Sequence, residues 1–159
     1  LRSGSAAAVL FAGSLHHVID YAAALREAVR VVRPGGLVVV YEPLTSWFSH
    51  AVHRLLDPIV FRLCGVYESP IDIRYKKEFR EAVVTGVLRE QSVSLAEVTH
   101  TDFLAYPLTG CYAGSVFSND RQLMQLLLAS EERMAGMPVV GAIGRSLAWR
   151  FTVVGVKAP

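Results

Sequence analysis

Two short apolar runs separated by one amphipathic helix decide what this chain can fold into. Ala7 to Ala12 (AAVLFA) is an unbroken apolar run ending at Gly13, and Leu37 to Tyr41 (LVVVY) is another. Runs this short suit strands buried on both faces, as in a parallel sheet. Between them Asp20 is a candidate N-cap for a helix over Tyr21 to Arg33. Leu25, Ala28, Val29 and Val32 recur at i, i+3, i+4 and i+7, which sets them on one face, with Arg26, Glu27, Arg30 and Arg33 largely opposite. Pro34 disfavours helix at Arg33, and Pro34-Gly35 suits the central positions of a type II turn. Strand, helix and strand with short connections make a right-handed βαβ unit.

Composition agrees with a doubly covered sheet. Apolar residues make up 52% and charged residues 19% of the 159, which excludes disorder and allows one good core. The net charge of +2 is small and the basic residues are interleaved with acids, so nucleic acid is not an expected partner. Cys64 and Cys111 lack CxxC spacing, so neither a zinc site nor a disulfide framework is suggested. No run reaches the roughly 18 apolar residues of a membrane span, and no signal-peptide pattern occurs, so a cytoplasmic protein is expected.

Beyond Tyr41 the pattern is less regular. Trp47 to Leu63 reads as helical with an interruption near Pro58, and a charged helix is predicted over Lys76 to Arg89. Val93 to Ala105 reads as a strand. Ser118-Asn119-Asp120 offers caps for a helix to about Met134, with Leu123, Leu126, Leu127 and Met134 facing inward, and Phe151 to Val156 is a last buried strand.

Ligands of open α/β sheets collect outside the carboxyl ends of the strands, where Ala12 to Leu15 falls. Gly13 there allows close backbone approach, and Ser14 offers a hydroxyl and an amide. His16 and His17 follow at once. An imidazole in that place can serve as a general base, or can fix the loop by hydrogen bonding; His17 is the candidate base. Glu42, at the end of the next run, can orient a donor group or cap the following segment. His50, His53 and His100 show no metal-ligand spacing with acidic neighbours, and no metal is expected.

The stretch Val9 to Pro43, VLFAGSLHHVIDYAAALREAVRVVRPGGLVVVYEP, resembles the class I S-adenosylmethionine (SAM)-dependent methyltransferases, in particular their UbiE-like small-molecule branch. The GSLHH loop, the acid at Asp20, the amphipathic helix, the PGG turn and Glu42-Pro43 carry the likeness in that order. The terminal FTVVGVK resembles the family's seventh strand more weakly. The resemblance implies an α/β fold: a partial Rossmann-like methyltransferase sheet holding strands four to seven of the usual seven, with a helical lid insertion over 44–92. The last strand would lie antiparallel beside the second. It implies SAM as cofactor, with Ala12, Gly13, Ser14 and Leu15 lining its methionine and sulfonium side. It also implies a small, apolar acceptor under an aromatic-rich lid that includes Trp47, with Glu42 facing that acceptor; the lid aromatics can equally be the lid's own core.

The family's glycine-rich loop and ribose-binding acid would precede Leu1, and Leu1 to Ser5 resembles the loop leading into the fourth strand. Residues 1–159 are therefore read as the C-terminal part of one methyltransferase domain of about 250 residues. Alone, such a piece is expected to bind SAM poorly and to self-associate through an exposed strand edge. Two other readings fit less of the pattern: the distal half of a Rossmann-like oxidoreductase, for which a Tyr-x-x-x-Lys pair is missing, and a non-catalytic partner-binding module of the same fold.

Overall fold

A computed structural model describes residues 1–44, 46, 48–49, 51, 54–55, 79–103 and 121–159, the side chains of residues 135, 141, 142, 144 and 145 excepted. In chain order its elements are β1 (Ala6–Ala12), α1 (Tyr21–Val31), β2 (Val32–Pro43), α2 (Glu81–Glu90), β3 (Val93–Thr101), α3 (Arg121–Ala135), α4 (Pro138–Leu147) and β4 (Arg150–Lys157). The chain divides into two units. One holds the described residues of 1–44, 79–99 and 151–159; the other holds those of 45–67 and 100–150.

The strands form one sheet in the order β1-β2-β4-β3. β1 pairs in parallel with β2, Val9 opposite Val38 and Phe11 opposite Val40, as the βαβ pattern requires. β4 runs antiparallel to β2: a Cβ at Gly155 would stand 3.6 Å from the Val38 carbonyl oxygen, and Lys157, two residues on, reaches the Val32 carbonyl where β2 begins. β3 is antiparallel to β4, since Ala158 N–H donates to the Ser92 carbonyl at one end and Trp149 N–H to the Thr101 carbonyl at the other. The expected antiparallel last strand is thus present.

α1 begins where its cap predicts, with Asp20 Oδ1 accepting the Ala23 N–H at 2.8 Å. Leu25, Ala28, Val29 and Val32 are all buried, and Arg26, Glu27, Arg30 and Arg33 are exposed. The helix ends at Val31 rather than Arg33, because Pro34 forces extended backbone before it and Val32 already pairs with Ala6. Lys157 Nζ donates to the Val29 and Val32 carbonyls, 2.8 Å each, which satisfies acceptors that the helix end leaves open. α2 packs against α1 and buries Val84, Val87 and Leu88.

The Pro34-Gly35-Gly36 turn is a bulge inside the β1–β2 ladder, whose register jumps from Ala6–Val32 to Ala8–Leu37. Gly35 has φ +71, the left-handed value that the second central position of a type II turn needs. Gly36 has a different reason to be glycine. A Cβ there would stand 2.7 Å from the Ala7 carbonyl oxygen and 2.9 Å from that of Arg33.

Several expectations need correction. β1 is not buried on both faces: Ala7, Ala8 and Ala12 are exposed and Leu10 is 64% exposed. Its edge position among the described strands is as expected, with β2 alone beside it. α2 starts at Glu81, after non-helical Phe79 and Arg80; the 76–78 part of the predicted helix lies outside the described residues. β3 stops at Thr101, after which Asp102 turns to φ +62, a conformation aspartate tolerates better than most residues; 104–105 of the predicted strand lie outside the described residues. α3 is present, but Leu126 points to solvent while Leu127 is buried. Its caps at 118–120 lie outside the described residues. α4, with Pro138 at its first position, was not anticipated.

Phe48, Ser49, Ala51, Arg54 and Leu55 are helical, as predicted for that stretch, and Ser46 and Ser49 cap each other: each backbone N–H donates to the other's hydroxyl at 2.9–3.0 Å. The rest of the helix read over Trp47 to Leu63, including Pro58, lies outside the described residues. No described helix is long and apolar enough to cross a membrane.

Gly36→Ala is expected to cost about 3 kcal/mol, because two backbone carbonyls as well as the Val32 side chain must move. Gly35→Ala, with open space around its Cβ, should cost only about 1 kcal/mol from its backbone conformation. Urea denaturation of the two variants measures the difference.

Candidate functional site

Because β1 and β2 are parallel, their carboxyl ends emerge at one edge of the sheet. Gly13 N–H donates to the Tyr41 carbonyl at 2.9 Å, which extends the pairing one residue past β1 and brings the following loop beside Glu42. Gly13 then turns to φ +61, and Leu15–His17 forms a single 3-10 turn leading to Asp20.

Glu42 organises that loop. It is 0% exposed; Oε1 accepts the backbone N–H groups of Ser14 (2.8 Å) and Leu15 (2.7 Å), and Oε2 lies 2.6 Å from His16 Nδ1. Burial pushes the Glu42 carboxyl upward, but the His16 bond and the two backbone donors outweigh it and hold the group below its ordinary value of 4.5. A buried carboxylate is tolerable only with such partners. His16, 6% exposed, lies against the exposed His17 with ring centroids 3.9 Å apart and the rings tilted by 41°, and meets Phe79 edge-on at 6.3 Å. Phe79 also contacts Tyr21 and stacks on Phe151, so an aromatic layer supports the turn.

The sequence-derived residues do not share one surrounding. Ala12 and Ser14 are exposed around Gly13, where a Cβ would meet no heavy atom of the described residues beyond its chain neighbours within 4 Å; among those residues the loop is open to a ligand on that side. Leu15, expected with them, is fully buried and its N–H is taken by Glu42, so it supports the wall from beneath. Glu42 was expected to face an acceptor or to cap the segment after it. It turns instead into the loop before it, with both oxygens engaged. His17 is exposed at the same turn, and Trp47 lies outside the described residues.

Sequence reasoning missed Phe79. It precedes the helix N-cap Arg80, and with Val84 at the fourth helical position it has the spacing of a hydrophobic staple, a signal that was there to be read. Among the described residues no group of three His, Cys, Asp or Glu side chains is placed to hold a metal ion.

Residues 1–40 match the family profile described as a methyltransferase domain. No curated protein matches the chain. Among solved structures, the fold is similar to a SAM-dependent methyltransferase from Archaeoglobus fulgidus at 7% identity and a TM-score of 0.52, covering 99% of this chain and 62% of that one. It is similar to phosphoethanolamine N-methyltransferase 2 of Haemonchus contortus, solved with S-adenosyl-L-methionine, at 10% identity and 0.52, covering 100% and 35%. It is also similar to the YcgJ protein of Bacillus subtilis at 10% and 0.51, covering 100% and 67%. The chain thus spans between about a third and two thirds of these structures. The profile covers the βαβ unit alone, and the structural likenesses show an α/β fold of the kind seen in methyltransferases.

Glu42→Gln keeps the shape and removes the charge. Glu42 titrates lower folded than unfolded, so its contribution is fully present above pH 4.5 and lost as pH falls through the lower folded value. The variant is expected to be about 2 kcal/mol less stable at neutral pH. That gap should close in acid, where wild type loses the same contribution; denaturation series at several pH values measure it.

Proposed function

We propose that this chain forms part of a methyltransferase that moves a methyl group from SAM to a small, apolar acceptor, in the manner of the UbiE-like branch. The observation that carries this reading is the open, left-handed Gly13 between exposed Ala12 and Ser14, at the carboxyl ends of two parallel strands and inside the stretch matched to a methyltransferase domain. SAM supplies, when bound, a methyl group already activated on a positively charged sulfur. The residues present fit one wall of its site. Ala12, Gly13 and Ser14 would line the methionine and sulfonium side, and Leu15 with Glu42 would hold that wall in place. Alignment and exclusion of water are what such a wall contributes to the reaction. His17, exposed at the same turn, would border the acceptor.

The strands β1, β2, β3 and β4 would correspond to the fourth, fifth, sixth and seventh of the methyltransferase sheet. The acceptor is read as apolar from the aromatic-rich stretch 44–92, which includes Trp47 and is proposed as the acceptor-selecting insertion. The exposed edge at β1 is proposed as the place where the chain self-associates when nothing else pairs with it.

Gly13→Val separates ligand contact from folding. Among the described residues no heavy atom beyond its chain neighbours lies within 4 Å of where the Cβ would stand, so the expected folding cost is that of backbone conformation, about 1–2 kcal/mol. In the full-length protein SAM affinity is expected to fall at least tenfold, since the branched side chain fills the space assigned to the cofactor. Titration calorimetry reads the affinity, and unchanged binding would displace the cofactor from this loop.

A further inference from the structure

The Glu42–His16 contact fixes more than the loop. An ionised carboxylate offers only lone pairs, so at 2.6 Å from Oε2 the Nδ1 of a neutral His16 ring must carry the hydrogen. The lone pair is then on Nε2, which has no hydrogen-bond partner among the described residues. Glu42 is itself anchored: its other oxygen accepts two backbone amides from the turn that carries the imidazole. Carboxylate, imidazole and a free ring nitrogen in this order are the parts of an oriented base, in which the carboxylate sets the tautomer and stabilises the imidazolium. The pair stands at the carboxyl end of β2, one turn from the open face at Gly13.

We propose that His16, oriented by Glu42, is the proton acceptor of the methyl transfer, and that the acceptor molecule is therefore protic: a hydroxyl, a thiol or an amine. The inference rests on the methyl-transfer reading and moves the base from His17 to its neighbour. The acceptor's lone pair forms the new bond to the methyl carbon as the methyl–sulfur bond breaks, its electron pair staying on the departing neutral thioether. The proton released by the acceptor's O–H, S–H or N–H passes to His16 Nε2, and the imidazolium so formed lies against the Glu42 carboxylate. Around the ring, Glu42 supplies the charge, His17 is the titratable neighbour on the same turn, and Phe79 presents an apolar edge.

The test uses the full-length protein and three readouts. Long-range nitrogen–proton NMR on histidine-labelled wild type is expected to find His16 as the Nδ1–H tautomer. Diethyl pyrocarbonate, which acylates an unprotonated ring nitrogen, is expected to modify His16 in a His17→Ala background, located by peptide mass spectrometry against added N-acetylhistidine as rate standard. Saturating SAM, with its binding heat measured in the same buffer, is expected to slow that modification at least tenfold. An Nε2–H tautomer overturns the inference without need of any variant, and so does a His16 left untouched while the standard reacts. Binding heat without protection overturns it and leaves SAM-dependent methyl transfer standing. Absence of binding heat removes the functional reading, and the inference with it.

Discussion

One buried carboxylate joins the two halves of the βαβ unit at the end where chemistry is expected. Glu42 arrives on β2, and its oxygens collect two amides and an imidazole from the loop that leaves β1. Without it, the Ser14 and Leu15 N–H groups would need other partners and Gly13 would lose the anchor that follows it. A charged acceptor also makes stronger hydrogen bonds than a carbonyl would. Rigidity of the glycine-containing wall therefore comes from the neighbouring strand, through a group that touches no solvent.

The elements that local chemistry dictates were legible in the sequence. Asp20 capped α1, the 3.6-residue stripe of α1 found the core, and both apolar runs became strands in parallel. Errors arose where tertiary surroundings decide. An apolar run states that a strand prefers burial; it does not state which of its faces finds cover, and Ala7, Ala8 and Leu10 of β1 are exposed. Ends of elements failed for related reasons: Val32 was claimed by the sheet before Pro34 could stop the helix, and Asp102 left the strand by a backbone rotation that β-branched neighbours do not announce.

For the site, sequence located the right loop but misjudged who holds whom. Gly13 and Ser14 could be placed from the strand end alone, whereas the direction of Glu42 depends on a carboxylate finding three donors some 26 to 28 residues earlier in the chain. Nothing local to Glu42-Pro43 encodes that choice. The two histidines looked interchangeable as letters, yet one is enclosed and paired and the other exposed.

Along β2 the inward-facing residues are Gly36, Val38, Val40 and Glu42, every second position from the turn onward. The glycine pressed against the Ala7 carbonyl and the carboxylate that grips the loop thus lie on one face, counted off by the same strand. Spacing between them is consequently a functional quantity in its own right. Loss or gain of a single residue within 37–41 would leave every side chain chemically intact and still turn Glu42 to the opposite face of the sheet. This segment should therefore tolerate exchange among valine, isoleucine and leucine far better than any change in its length.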